Sequence, residues 1–320
     1  MSERKSLLIA TRSSELALRQ ARQVQSALAR SGVVAELKTY KTTGDRRLDE
    51  PLSAIGGKGL FTKELEVDLA KRAVDCCVHS LKDLPTELPE NLTIGAVLAR
   101  EDPRDVLIVN SVTGATSIAE LPRGSRVGTS SLRRRAQLTA LRADIEVVAL
   151  RGNVPTRIRK VDDGQVHAAI LAAAGVHRLG VSQHIACYLD APQWLPAAGQ
   201  GAIAVEIRED DTRMRTLLAE INDAETWLQV RAERAFLDAL EGGCQVPIGA
   251  LAQDRNGALW LYGLIADVQG RQIVRGDHAV DPENPELAGI RLANELRGRG
   301  ATEILESLRR AEQVPAPQPE

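Results

Sequence analysis

Cys244 sits in "LEGGCQVPIGA", Leu240 to Ala250, between a glycine pair and a Gln-Val-Pro. The other cysteines are Cys76, Cys77 and Cys187, so no second thiol stands beside it in sequence. A thiol that turns over as a nucleophile wants a base to form its thiolate, and no such partner is evident here. A permanent tether asks less: one sulfur, and glycines that let the backbone approach an attached group closely. Pro247 then fixes the exit path of the loop. Cys76 and Cys77 lie in an apolar run and read as buried free thiols. No CxxC or Cys/His cluster has zinc spacing, so no metal is expected.

The second feature that could do chemistry is arginine. The 320-residue chain carries 41 Lys+Arg against 43 Asp+Glu, a formal net charge of −2. Eight of the basic residues are lysine, leaving 33 arginines. Residues 126–160 hold nine Lys+Arg and two Asp+Glu, a local net of +7. A GC-rich genome that favours arginine codons is the bland explanation of this usage; the sharper one is that some arginines bind carboxylates or phosphates, where the planar guanidinium fork matters.

Five polar clusters share one topological place. They are Thr11-Arg12-Ser13, His79 to Asp83, Thr129 to Arg134, Arg151-Gly152-Asn153 and Gly175 to Arg178. Each follows an apolar run that reads as a strand, and the C-terminal ends of strands in open α/β sheets are where ligands bind. Helix N-termini with nearby arginines also suit anions. Any one cluster could be a simple helix cap, but five in one place point to a common anionic cleft.

The elements that must position these residues alternate. "SLLIATRSSELALRQARQVQSALARSG" reads as strand, turn and amphipathic helix, with Ser13 or Ser14 as cap and Leu16, Val24 and Leu28 near one face. "SRVGTSSLRRRAQLTALR" repeats the design with Ser130 and Ser131 as cap candidates, and "IEVVALRGNVPTRIRKV" and "VHAAILAAAGVHRLG" repeat it again. This predicts α/β layers with mixed, largely parallel sheets. Boundaries fall at "REDPRD" and "PQWLPAAGQGA". The expected division is a discontinuous first lobe (1–100 and 201–220), a second, arginine-rich lobe (101–200) and an α+β C-terminal domain (221–314). That last domain contains a helix, a hairpin from "GALWLYGLIAD" and "RQIVRGDHAV", and two further helices; 315–320 reads as a disordered tail.

Read together, "IATRSSELAL", "GGKGLFTKELE", "HSLKDLPTELP", "VGTSSLRRR", "LRGNVPTR", "LPAAGQGAIAVE" and "AERAFLDALEGGCQVPIGA" closely resemble the porphobilinogen deaminase (hydroxymethylbilane synthase) family. The resemblance runs in order over nearly the whole chain. It implies a cytoplasmic, monomeric transferase of tetrapyrrole (haem) biosynthesis. Such an enzyme joins four porphobilinogen molecules head to tail, releases ammonia at each step and finally frees hydroxymethylbilane. It also implies two lobes like those of periplasmic binding proteins, a small third domain, and one covalent dipyrromethane cofactor per chain, held by a thioether to Cys244.

The resemblance assigns roles residue by residue. Arg12, Ser14, Arg151, Arg157, Arg178 and Gln200 are substrate-binding. Lys82, Ser80, Thr129, Ser130, Ser131, Arg133, Arg134 and Gly152 are cofactor-binding. Lys58 and Phe61 belong to a lid loop. Each porphobilinogen unit brings an acetate and a propionate, and charge-assisted Arg–carboxylate pairs are directional and roughly twice as strong as neutral hydrogen bonds. The reaction needs a proton delivered to a leaving amine, a cationic intermediate stabilised, and a proton removed after coupling. One carboxylate can serve all three, and Asp83 is that residue by resemblance; taken alone it is also an ordinary turn aspartate before Leu84-Pro85. His79 reads as structural.

Other classes fit less well. A non-enzymatic two-lobed anion-binding protein would share the fold but would not explain the cysteine loop and the Asp83 motif together. A nucleic-acid binder using "LRRRAQLTALR" lacks a stacking platform, with three Trp, three Tyr and two Phe chain-wide. The N-terminal apolar run, Leu7 to Ala10, is too short for a signal core, so a cytoplasmic protein with no membrane and no nucleic-acid partner is expected.

Overall fold

The computed structural model describes residues 6–46, 61–240 and 246–313. Apolar runs form two five-stranded mixed sheets of matching design. The first contains β1 (Leu7–Arg12), β2 (Ala35–Tyr40), β3 (Cys76–Ser80), β4 (Leu92–Val97) and β10 (Ile203–Arg208), in the order β2-β1-β3-β10-β4. The second contains β5 (Asp105–Val109), β6 (Arg126–Gly128), β7 (Glu146–Val148), β8 (Ala168–Ala172) and β9 (Ile185–Leu189), in the order β7-β6-β8-β5-β9. Four strands of each run in the same direction, and the fourth in spatial order runs antiparallel to both neighbours. The chain leaves the first sheet after Val97, enters the second at Asp105, and returns between Leu189 and Ile203. This is an α/β fold of two lobes of matching design with a small additional sheet.

The central strands are buried on both faces, which is why β3, β5 and β8 are short, nearly continuous apolar runs without alternation. Helices cover them: α1 (Glu15–Arg30) and α2 (Lys63–Ala70) on the first sheet, and α3 (Leu132–Leu141), α4 (Val154–Asp162) and α5 (Ala173–Leu179) around the second. Ser14, Ser131 and Asn153 cap α1, α3 and α4, each side-chain oxygen accepting a backbone N–H from the first turn. The buried stripe of α1 consists of Ala17, Gln20, Ala21, Val24, Ala27 and Leu28. Leu16 departs from the expected face. It is half-buried and turned towards Gly175 of α5, where a Cβ would lie 3.6 Å from it, so it bridges the two lobes.

After α6 (Thr212–Ala219) and α7 (Ala224–Ala239) comes a three-stranded antiparallel meander, β11 (Ile248–Arg255), β12 (Ala258–Ala266) and β13 (Ile273–Ala279), followed by α8 (Pro285–Leu296) and α9 (Thr302–Gln313). The sequence pattern indicates the β12–β13 hairpin and both helices but not β11, whose "IGALAQDR" follows the cysteine loop without a turn signal of its own. Phe236, Leu261, Ile265, Leu292 and Leu296 form this core. Gly289 lets α8 lie against α7, since a Cβ there would come within 2.5 Å of Ala232 O.

Glu233 of α7 ties the three parts together. Fully buried, it accepts hydrogen bonds from Arg100 Nη1 (2.6 Å) before β5, from Gly199 N (2.7 Å) before β10, and from Ala252 N (2.9 Å) of β11. One carboxylate thus fixes both inter-lobe crossovers against the C-terminal sheet. Among the described residues, no helix is long and apolar enough to cross a membrane.

Candidate active site

The polar clusters do emerge at the C-terminal ends of β1, β3, β6, β7 and β8. β3 ends at Ser80, and a tight turn, Leu81–Asp83, follows immediately. Arg234 of α7 donates to the carbonyls of Leu84, Pro85 and Thr86, which holds the chain just beyond Asp83. Asp83 itself is half-buried and lines a small cavity of about 20 Å³ with Arg12, Gln20, Phe61, Thr62 and Ser80. The Arg12 guanidinium carbon lies 4.3 Å from the centre of the Phe61 ring, a cation–π contact.

Lys82, the neighbouring side chain, donates to Gln200 Oε1 at 3.3 Å. Burial pushes its ammonium down to about 8, with the positive charges of Arg134 and Arg133 adding to the effect and Asp83 and Asp105 opposing it. Arg157 is pushed down to about 10 by burial and by Arg134 and Arg151, again against Asp83. Lys82, Arg134, Arg151, Arg157 and Asp83 are therefore electrostatic neighbours drawn from both lobes.

Asp105 is the hub beneath them. It is fully buried and accepts from Arg133 Nη1 (2.8 Å), Arg134 Nη2 (2.7 Å), Trp194 Nε1 (2.8 Å) and Gln200 Nε2 (2.8 Å). Burial alone would raise its carboxyl, but the two guanidiniums outweigh it and hold the group far below the usual carboxylate range. Arg133 spends its Nη1 on Asp105 and on Leu195 O, and Arg134 also donates to Ile170 O. Arg134 Nε remains buried with no hydrogen-bond partner among the described residues.

The other expected residues fall into groups. Thr129 Oγ1 accepts from Ser131 N, Ser130 donates to Leu150 O, and Ser131 caps α3, so these three hydroxyls shape the β6–α3 turn. Gly152 has φ +115° and a Cβ there would meet Thr156 Cγ2 at 2.8 Å; its carbonyl accepts from Arg157 Nε at 2.8 Å. Ser80 exchanges hydrogen bonds with Gln20. Ser14 serves as the α1 cap. Gln200, expected to bind substrate, is 1% exposed and spends its amide on Asp105, Pro103 O and Arg104 O. Arg178 donates to Gly201 O and lines a separate groove of about 1060 Å³ beside α1, not the cavity at Asp83. Gly201 itself, at φ +92°, lets the two crossovers touch, since a Cβ would lie 2.2 Å from Glu101 O. Lys58 and Cys244 lie outside the described residues.

Sequence reasoning did not single out Gln20 or Asp105. Gln20 carries a signal, a polar residue at a core position of an alanine-rich helix face. Asp105 stands at the end of "REDPRD", where a charged run reads as a boundary.

Comparison with known proteins decides the family. Residues 7–216 match the family model for the porphobilinogen deaminase dipyromethane cofactor binding domain, and residues 227–298 match the porphobilinogen deaminase C-terminal domain. The chain belongs to the porphobilinogen deaminase family. It is 49% identical over 305 residues to the porphobilinogen deaminase of Syntrophobacter fumaroxidans, covering 95% of this chain and 98% of that one. Among solved structures it is similar to the VFT2 domain of Bordetella pertussis BvgS (16% identity, TM-score 0.43, 69% of this chain and 88% of that one). It is also similar to the methionine-binding protein MetQ (14%, 0.44, 70% and 92%).

The residues present fit the cofactor of a porphobilinogen deaminase. Burial and the neighbouring guanidiniums depress Lys82 and Arg157 beside Asp83, and Arg134 Nε is buried without a hydrogen-bond partner among the described residues. A cleft with surplus positive charge and unsatisfied donors is complementary to a ligand bearing several carboxylates. As a family member the chain is a transferase of tetrapyrrole biosynthesis that uses a dipyrromethane group.

Proposed function

We propose that this chain joins porphobilinogen units head to tail, with Asp83 as its acid–base group and Cys244 as the attachment point of the dipyrromethane. The observation that carries the reading is Asp83, a half-buried carboxylate at the cavity rim, surrounded by Lys82, Arg134 and Arg157. When bound, the dipyrromethane would supply the free terminal pyrrole carbon that the first unit joins, each later unit joining the one before it.

The chain's residues do the rest. Lys82, Arg134, Arg151 and Arg157 pair with acetate and propionate groups and hold the reacting units in register. Arg133 acts from beneath, by sharing Asp105 with Arg134, while Arg12 and Arg178 reach carboxylates from the first lobe's edge and the inter-lobe groove. Asp83 in its acid form gives a proton to the departing amine. The resulting carboxylate faces the positive charge that develops as the carbon–nitrogen bond breaks. After the new carbon–carbon bond forms, the same carboxylate takes the proton that the coupled carbon must lose, which returns it to the acid form. Each cycle thus forms one carbon–carbon bond, breaks one carbon–nitrogen bond and leaves Asp83 ready to repeat.

Ser80, Thr129, Ser130, Ser131 and Gly152 support this set as short polar or close-approach positions, and Gln200 positions Lys82. Phe61, stacked on Arg12, covers the first-lobe side, and Lys58 is assigned to the lid by resemblance alone. The protein works as a cytoplasmic monomer with porphobilinogen as its partner. Incubation of the purified protein with porphobilinogen tests the whole reading. Ammonia release and a linear tetrapyrrole product are expected; substrate left unconsumed overturns it.

A further inference from the structure

Behind the Asp83 cavity, β3 and β10 bring three metal-capable side chains onto one buried face. Cys77 and His79 alternate along β3, and Glu206 pairs with Cys77 in the antiparallel register. Their ligand atoms (the Cys77 Sγ, a His79 ring nitrogen and a Glu206 oxygen) all lie within 4.8 Å of one another, at residues 0%, 5% and 0% exposed. His79 Nε2 and Glu206 Oε2 are 2.9 Å apart. No motif spacing announces this group, because its third member follows 127 residues after His79.

The pocket is more acidic than its hydrogen bonds account for. Glu206 Oε1 is buried with no hydrogen-bond partner among the described residues, and so is Glu66 Oε1 on α2. The nearby cation, Arg208, donates from Nη1 to Leu69 O and Val74 O and pairs through Nη2 with Asp211, while its Nε is buried without a hydrogen-bond partner among the described residues.

We propose that Cys77, His79 and Glu206 form a buried site for one divalent cation of borderline softness, of the zinc type. A sulfur, an imidazole nitrogen and a carboxylate oxygen are the donors such an ion takes, at about 2.3, 2.0–2.1 and 2.0–2.2 Å. A tetrahedron of those bonds sets its donors about 3.3–3.7 Å apart, against the 4.8 Å within which the three ligand atoms now lie. The 2.9 Å His79–Glu206 hydrogen bond is exchanged for two metal bonds. On binding, the ion displaces the thiol proton to solvent, the imidazole binds neutral and Glu206 binds ionised. One thiolate and one carboxylate then balance the two positive charges, which removes the cost of an unpaired charge in this interior. The ion would pin β3, and with it the turn carrying Lys82 and Asp83, to β10; it takes no part in the proton transfers.

The test uses the full-length protein, produced in zinc-replete medium and, separately, in cobalt-supplemented medium, then dialysed against a weak chelator. Wild type is expected to retain about one ion per chain. The cobalt form is expected to show a thiolate-to-cobalt charge-transfer band and the visible bands of a four-coordinate ion. Cys77→Val should lose the charge-transfer band and the metal, whereas Cys76→Val and Cys187→Val should keep both. Where Cys77→Val does not fold, Glu206→Gln, of nearly the same shape, carries that arm and should lower the retained metal several-fold. A metal-free wild type from both media, or a band that survives Cys77→Val, overturns the proposal and leaves Glu66, Glu206 and His79 as a proton-sharing group.

Discussion

Lys82 donates to Gln200 Oε1 across 3.3 Å, and the amide nitrogen of the same glutamine donates to Asp105 at 2.8 Å. The residue beside the proposed acid–base group is thereby linked, through one buried amide, to the carboxylate that anchors both Arg133 and Arg134. A lysine at the first lobe and two arginines at the second share a single polar relay at the crossover. The cationic wall of the cleft thus depends on the alignment of the lobes.

That relay has a pH signature. Burial depresses the Lys82 ammonium to about 8, from an ordinary 10.5. Between those values the folded protein binds fewer protons than the unfolded chain, so this group makes folding more favourable as pH rises from about 8 to 10.5. Carboxylate binding has the opposite sign, because an anion holds the proton on the lysine. Cofactor-free Cys244→Ala protein, titrated calorimetrically with a linear pyrrole polycarboxylate in buffers of different protonation enthalpy, should take up protons between pH 8 and 9. Affinity should fall through the same range. Lys82→Arg, which stays charged, should flatten both trends; an absence of proton uptake in wild type removes Lys82 from the binding set.

Asp105→Asn should cost far more than an ordinary surface change. It leaves two buried guanidiniums facing an amide, and breaking a buried ion pair from one side typically costs about 3–5 kcal/mol. Chemical denaturation of the cofactor-free protein measures that loss directly. A fall of less than about 1 kcal/mol would mean that Arg133 and Arg134 find other partners and that Asp105 is no hub.

Much of this arrangement is legible in the sequence, and the parts that are not have a common cause. Strand ends followed by Ser or Asn caps are local signals, so the clusters at β1, β3, β6, β7 and β8 can be located from short windows. The two "TSS" and "RGN" turns indicate their helices for the same reason. What the sequence does not disclose is which cation spends its charge on the protein itself. Arg133 and Arg134 look like a free pair of carboxylate ligands until Asp105, 28 residues earlier, arrives between them. Gln200 looks like a cleft residue until the crossover buries it. Glu233 reads as one charge on an amphipathic helix, yet it joins Arg100, Gly199 and Ala252. Each of these depends on long-range pairing, which has no sequence period.

Asp83→Asn is the sharpest test of the acid–base assignment. The amide keeps the size of the side chain but can neither give nor take the proton. Turnover should fall by at least the ~10²–10⁴-fold ascribed to a positioned general acid–base group. The thermal midpoint should move little, because the residue is half-buried and the surrounding turn is held by Arg234. Ammonia release measured alongside the melting curve separates the two effects. Near-wild-type turnover would place the proton transfers on another residue.

Cys244 is tested by mass. Cys244 lies in sequence between α7, which carries Glu233, and β11, whose Ala252 N donates to that carboxylate. A tether at this point of the chain needs a sulfur but no neighbouring base. Wild type exposed to porphobilinogen should therefore show a mass above that of its sequence by one dipyrromethane, and Cys244→Ala should remain at its bare sequence mass. Cys187→Ala, a change at a half-buried thiol of β9, should keep the full adduct. An adduct that persists in Cys244→Ala would move the attachment to another side chain and leave the glycine-flanked loop with a purely conformational role.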